Sequence, residues 1–300
     1  MAEAQPAPHG WILLDKPLGL GSTQAVSAVK RALRQAGYGK AKVGHGGTLD
    51  PLATGVLPIA IGEATKLCGR MLDASKIYRF TIAFGSETDS LDREGQVIAT
   101  SDVRPNADAI AAVLPRFTGP ISQIPPAYSA LKVDGARAYD LARAGQDVVL
   151  AARAVTIHAL DAEAVTPDSV TLCAHVSKGT YIRSLARDIA HALGSVGHVA
   201  MLRRVQAGPF GLDRAISLDI LDEAAKGGSL GDLVLPLRTA LVDIPALALT
   251  AGEAQALRQG RVLTGVAAPD GLCLALLADV LVALVNVLDG AVTVERGFNL

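Results

Sequence analysis

Between residues 44 and 57 the chain reads Gly44-His45-Gly46-Gly47-Thr48-Leu49-Asp50-Pro51-Leu52-Ala53-Thr54-Gly55-Val56-Leu57. Three glycines within four residues allow positive φ angles and close approach of the backbone to a neighbour. Pro51 then fixes φ immediately after an acidic side chain. The stretch predicts a stiff turn presenting the Asp50 carboxylate. Leu49 and Leu52 flank it and Val56 and Leu57 follow, so the carboxylate stands where apolar packing begins, and an ionised oxygen there needs a partner. The structural alternative for such an Asp-Pro is an Asx-type turn cap.

The elements around this turn read as a mixture of helix and strand. Ser22 or Thr23 is the expected cap of a helix whose apolar face is Val26, Val29 and Leu33 and which stops at Gly37, with a basic opposite face. Tyr78, Phe80, Ile82 and Phe84 alternate with Arg79, Thr81 and Ala83, the period of a strand with one buried face. Residues 119–147 begin irregular and proline-rich and turn helical from Asp134 to Gly145, with Lys132, Arg137 and Arg143 making a basic excursion. This is a loop closing over a substrate or an ordinary surface connection. A β-rich run from Val155 to Val176 precedes a helix over Thr180–Leu193. After Pro236 short apolar runs broken by Gly and Pro predict a small β-domain from about Asp243. Leu272–Leu288, with Asp279 near its centre, reads as two strands rather than a membrane span.

Composition excludes several classes. A 300-residue chain that is 50% hydrophobic and 19% charged can bury a large core and is not disordered. Net charge is −1, so any polyanion must be held by local patches. Residues 28–47 carry five basic side chains and no acid, the charged residues of 176–214 are mostly basic, and from Asp243 onward six acids stand against three basic residues. Cys68, Cys173 and Cys273 lie about a hundred residues apart, which gives neither a disulfide framework nor a metal site and fits a cytoplasmic protein. The start, Met1–Gly10, lacks the pattern of a signal peptide. A calcium loop set on Gly95 fails at Ser90 and Ser101, and neither GxxxxGK[ST] nor GxGxxG occurs.

The run from Gly44 to Leu67 resembles the catalytic motif of the TruB family of tRNA pseudouridine synthases. The likeness continues through Leu14-Asp15-Lys16-Pro17, Lys76–Phe80, Thr88–Asp92, Lys178–Leu185 and Gly197–Arg204, in the family's order, over roughly residues 10–215. Gly46 departs from it, since threonine is expected there. The resemblance implies an α+β pseudouridine synthase domain over 10–242, with a central mixed, mainly antiparallel sheet and an RNA-gripping insertion at about 119–147. It also implies a small PUA-like β-barrel at 243–300.

The implied reaction isomerises uridine 55 in the T-loop of tRNAs. It breaks C1′–N1, turns the uracil and joins C5 to C1′, with no net redox change, so neither cofactor nor metal is expected. The base must leave its stack, and a nucleophile must hold the substrate in a closed site. By resemblance Asp50 is the nucleophile, attacking C1′, acting at C2′ or adding to C6, and Arg183 is its cation. Tyr78 would stack on the uracil and move the C5 proton, and His45 would fill the gap left by the flipped base. Asp92 would accept hydrogen bonds from a second flipped base, and Leu202 and Tyr181 would line the site. Lys16 would touch RNA or orient the neighbouring loop. The expected partner is the tRNA T-arm, with no membrane and a monomeric enzyme. A tRNA-folding chaperone with incidental chemistry is the alternative that Asp50 argues against.

Overall fold

The computed structural model describes residues 5–129, 131–133, 135–146 and 150–300. A ten-stranded sheet forms the body. Its main path runs Leu235–Pro236, Gly10–Lys16, Ala53–Ile61, Gly197–Ala207, Lys76–Phe84, Ser169–Val176, Arg153–Thr166, Gly119–Gln123. Every pairing along this path is antiparallel except that of Ala53–Ile61 with Gly197–Ala207. At that parallel seam Leu202 lies opposite Ala53 and Arg204 opposite Gly55, so the turn carrying Asp50 enters the sheet beside Leu202 and Arg204.

The alternation over 78–84 has the expected sense: Phe80, Ile82 and Phe84 are buried with Leu172, Leu185 and Ile189. The Ile182–Ala192 helix covers this part of the sheet. Next to it, the Ser22–Gln35 helix lays Val29 and Leu33 on Leu14, Leu57 and Ile59. Tyr78 packs against both clusters and so sits at their junction. The helix's basic side is solvent-exposed, as its pattern requires: Lys30, Arg31 and Arg34 are all exposed.

Two local expectations change. Gly21, not Ser22 or Thr23, is the N-cap, and its backbone N–H is taken by the Gln24 side chain at 2.8 Å. Ser22 is used elsewhere, as shown below. The stretch from 119 is not irregular at its start, because Gly119–Gln123 is an edge strand on Arg153–Ile157. Beyond it a two-residue ladder, Lys132–Val133 with Ala136–Arg137, leads to the Ala138–Arg143 helix. The expected cap Asp134 lies outside the described residues.

Residues Gly271–Leu277 and Val280–Leu288 form the hairpin expected around Ala278-Asp279. With Ala246–Ala248 and Ala291–Gly297 they make a separate four-stranded sheet, carrying the Ala251–Arg258 helix. Among the described residues no helix is long and apolar enough to cross a membrane. Leu274, Leu281, Leu284 and Phe298 of this small domain share one buried cluster with Trp11, Leu13 and Val56 of the main sheet. Arg70 pairs with Asp243 and Lys66 donates to the Gly297 carbonyl across the same junction.

This junction sets an expectation for a chain ending near Val242. Uncovering two or three large apolar side chains costs roughly 3–9 kcal/mol at about 1.5–3 kcal/mol each, a large part of an ordinary domain's stability. The truncated chain should melt at least about 6 °C below the full chain and bind an apolar dye. An unchanged melting midpoint would show that the small domain adds nothing to the stability of the large one.

Candidate active site

The turn from Gly46 to Pro51 is held almost entirely through its backbone. The Arg204 side chain, 1% exposed, donates from Nε to the Val56 carbonyl at 2.7 Å and from Nη2 to the Gly47 carbonyl at 3.0 Å. Ser22 accepts from the Leu49 amide at 2.8 Å and donates to the Leu49 carbonyl at 2.9 Å. Lys16, wholly buried, donates to the carbonyls of Leu20 at 2.6 Å, Pro17 at 3.1 Å and Pro51 at 3.3 Å. Burial pushes the Lys16 ammonium down to about 8, against the opposing pull of Asp50 and with a further push from Arg204. Lys16 therefore orients the turn, and its alternative place as an RNA-touching residue does not fit a side chain sealed from solvent.

The glycines serve close approach. Gly55 takes φ +100°, and a Cβ there would lie 2.1 Å from the Arg204 carbonyl oxygen. At Gly46 a Cβ would lie 2.8 Å from the Met71 Cβ, so the threonine expected from the family pattern does not fit unless the Cys68–Asp73 helix moves. Lys76 anchors the end of that helix by donating to the carbonyls of Met71, Leu72 and Ala74 at 2.9, 2.6 and 2.6 Å. Its ammonium is pushed down to about 8 by burial and then by Arg204, with Asp73 opposing.

Against this fixed backbone the Asp50 side chain remains 43% exposed and makes one ion pair, Oδ2 to Arg183 Nη2 at 2.8 Å. Arg183 is 7% exposed at its side chain. It also donates from Nη1 to the Ser90 carbonyl at 2.9 Å and from Nη2 to the Tyr128 carbonyl at 2.8 Å, and stands 3.6 Å from Asp92. A buried guanidinium with this many acceptors is fixed in direction, so it fixes the carboxylate it meets.

The helix carrying Arg183 is pinned as well. Gln123, wholly buried, accepts from the Tyr181 amide at 2.8 Å and donates to the Tyr181 carbonyl at 3.1 Å. Ser184 donates to the Ile124 carbonyl at 2.8 Å.

Asp50, Arg183, Tyr78, Tyr181 and Leu202 line one cleft of about 310 Å³, the lower end of the size range of small-ligand sites. Lys76 and Arg204 also reach its wall, so its charges are mainly positive. Asp92 is not among the residues lining this cleft, although it stands 3.6 Å from Arg183 and borders a small space with Asp50, Arg183 and Leu202. It lines an adjoining cavity of about 450 Å³ with Asp89 and Glu94, and Asp50, Ser129 and Arg183 line both spaces. Its Oδ1 accepts from Ser90 Oγ at 2.5 Å and from the Glu94 amide at 3.0 Å. His45 is outside the residues lining either space; its Nδ1 accepts from the Gly47 amide at 3.4 Å. Burial and then Arg204 hold its imidazole below the ordinary value.

Sequence reasoning brought Asp50, Arg183, Tyr78, Tyr181 and Leu202 to one place and missed Arg204, Lys76, Gln123 and Ser22 as the parts that hold them. For Arg204 a signal existed: two residues after Leu202 on a strand, it shares Leu202's face. Among the described residues no group of three His, Cys, Asp or Glu could hold a metal ion.

Residues 31–182 match the N-terminal domain model of the TruB family pseudouridylate synthases, and residues 183–242 match the C-terminal domain model of tRNA pseudouridylate synthase B. The chain is 66% identical to tRNA pseudouridine synthase B of Novosphingobium aromaticivorans, over 97% of each chain. It is 58% identical to that of Zymomonas mobilis, over 97% of this chain and 96% of the relative.

Among solved structures it is similar to a Cbf5-Nop10-Gar1 complex, with TM-score 0.74 at 28% identity over 97% of this chain and 85% of the other. An H/ACA RNP bound to a substrate RNA containing 2′-deoxyuridine gives TM-score 0.73 at 25% identity over 97% and 85%. The chain belongs to the TruB family of pseudouridylate synthases.

Proposed function

We propose that this chain converts uridine 55 in the T-loop of tRNAs to pseudouridine, acting as a monomer in the cytoplasm with Asp50 as nucleophile. Pseudouridine formation in tRNA follows from the family and from relatives at up to 66% identity. The position in the tRNA and the residue roles are the further reading. The observation that carries the roles is the Asp50–Arg183 pair at 2.8 Å in the wall of a cleft shared with Tyr78 and Leu202.

The target nucleotide leaves its stack and enters the cleft between Tyr78 and Leu202, where stacking on the aromatic ring offsets part of the unstacking cost. The Asp50 carboxylate stands at the rim with its one cation behind it. It acts on the sugar at C1′ or C2′, or adds to C6 of the uracil. In each route the C1′–N1 bond breaks, the uracil turns within the closed space, and C5 bonds to C1′. The proton on C5 is then lost and one is gained at N1, so atoms balance without any added group. The Tyr78 hydroxyl, free of hydrogen-bond partners among the described residues, carries that proton. Arg183 keeps the carboxylate aimed throughout.

RNA outside the cleft meets the exposed Lys30, Arg31, Arg34, Lys40 and Lys42 and the short helix ending at Arg143, which together supply phosphate contacts. His45 and Asp92, away from the cleft wall, meet the RNA around the vacated position and a second displaced base.

Two measurements test this. A tRNA transcript with cytidine at position 55 should give no pseudouridine, and product at another uridine would overturn the choice of position. Turnover should also persist in EDTA without added nucleotide, because the isomerisation balances in atoms and electrons. Activity lost in chelator and restored by zinc or magnesium, with tRNA folding controlled, would overturn that expectation.

A further inference from the structure

Among the described residues only two buried side-chain polar atoms lack a hydrogen-bond partner, Ser129 Oγ and Arg153 Nε. Both residues line the cleft that holds Asp50. Buried donors left unsatisfied are rare and costly in folded proteins, and two in one cleft wall mark it as built for a polar ligand.

The chemistry of Arg153 narrows that ligand. Its guanidinium carbon lies 4.8 Å from the centre of the Tyr181 ring, and the Tyr181 backbone is clamped on both sides by Gln123. Stacking holds a guanidinium flat and leaves its in-plane N–H edges for a planar or tetrahedral oxyanion. The other cations of the cleft are already engaged: Arg183 with Asp50, Lys76 and Arg204 with backbone carbonyls. At the rim, Lys178 pairs with Asp73. Arg153 alone among the basic residues lining the cleft has no hydrogen bond or ion pair among the described residues.

Asp50 is the one acid in this cleft, whereas the adjoining cavity holds Asp89, Asp92 and Glu94 as well. An anion therefore enters on the Arg153 side. We infer that Arg153, stacked on Tyr181, is the binding site for a backbone phosphate flanking the nucleotide held at Asp50. This deepens the tRNA reading above and rests on it. The class of ligand is a nucleic-acid phosphodiester.

The test is tRNA binding by the full chain as a function of salt, with single-turnover pseudouridine formation on the same preparations. Arg153→Gln should weaken binding roughly tenfold, the scale of one charge-assisted contact. It should also lower the slope of log affinity against log salt by about 0.7–0.9, one phosphate contact. The rate at saturating tRNA should stay within a few-fold of wild type, with KM rising. Arg153→Lys keeps the charge and should keep the wild-type slope, and a loss that is merely structural would move neither slope. Melting midpoints confirm that each variant is folded. An unchanged slope and KM in folded Arg153→Gln, with wild type binding and turning over tRNA, would overturn the assignment. If wild type binds tRNA but makes no pseudouridine, the enzymatic reading fails, and the slope still decides whether Arg153 holds a phosphate.

Discussion

Replacing Asp50 by asparagine should lower the single-turnover rate of pseudouridine formation on the order of 10⁴-fold or more, the cost seen when a group that forms or stabilises a covalent intermediate is removed. The substitution preserves shape, and the turn does not depend on the carboxylate. Its backbone is held by Arg204, Ser22 and Lys16 through the carbonyls and amides of Gly47, Leu49 and Pro51. The Asp50 side chain is 43% exposed, but the 7% exposed Arg183 loses its closest carboxylate, so some folding stability is lost. tRNA affinity should stay within a few-fold, since phosphate contacts and stacking supply most of it. Loss of one negative charge near the RNA acts, if anything, in favour of binding. A near-wild-type rate would remove Asp50 from the mechanism.

Arg183→Gln should be damaging in two ways. Arg183 is the shared donor to Asp50 and to the carbonyls of Ser90 and Tyr128, and glutamine cannot reach all three. Breaking a fully buried ion pair by removing one partner costs roughly 3–5 kcal/mol. Here Asp50 can still turn toward water, so about 2–3 kcal/mol is expected, mainly from the two carbonyls and Asp92. Catalysis should fall at least about 100-fold even where the protein is folded, because a carboxylate misplaced by about 1 Å loses that much. Chemical denaturation and single-turnover kinetics on one preparation separate the two effects. Loss of rate in proportion to the unfolded fraction alone would reduce Arg183 to a structural residue.

The Asp50–Arg183 ion pair was expected from the family resemblance, whose carriers lie in contiguous, unusual strings: Gly-rich turn, Asp-Pro, then Tyr-Ile-Arg at a helix start. The strand through Phe80 and Ile82 and the hairpin around Asp279 followed from period and breaker residues. What stayed hidden shares one physical cause. Arg204, Lys76 and Ser22 act on backbone carbonyls and amides brought close only by the fold, and such partners leave no pattern of side-chain types. Gln123 likewise reads as an ordinary strand polar until its amide is seen clamping Tyr181, 58 residues away. Ser22 read as a cap because its hydroxyl precedes a helix; tertiary contact with Leu49 outcompetes that use. At Gly46, where the family pattern leads one to expect threonine, Met71 occupies the space a side chain would need.

We propose that this cleft isomerises a tRNA uridine through Asp50. The most direct test is pseudouridine counted and mapped in an unmodified tRNA transcript, after incubation with purified wild-type chain and, in parallel, with Asp50→Asn. The predicted result is about one pseudouridine per tRNA, at position 55, from wild type, and none on the same timescale from Asp50→Asn at equal tRNA binding. Wild-type protein that binds the transcript and leaves every uridine unchanged would contradict it.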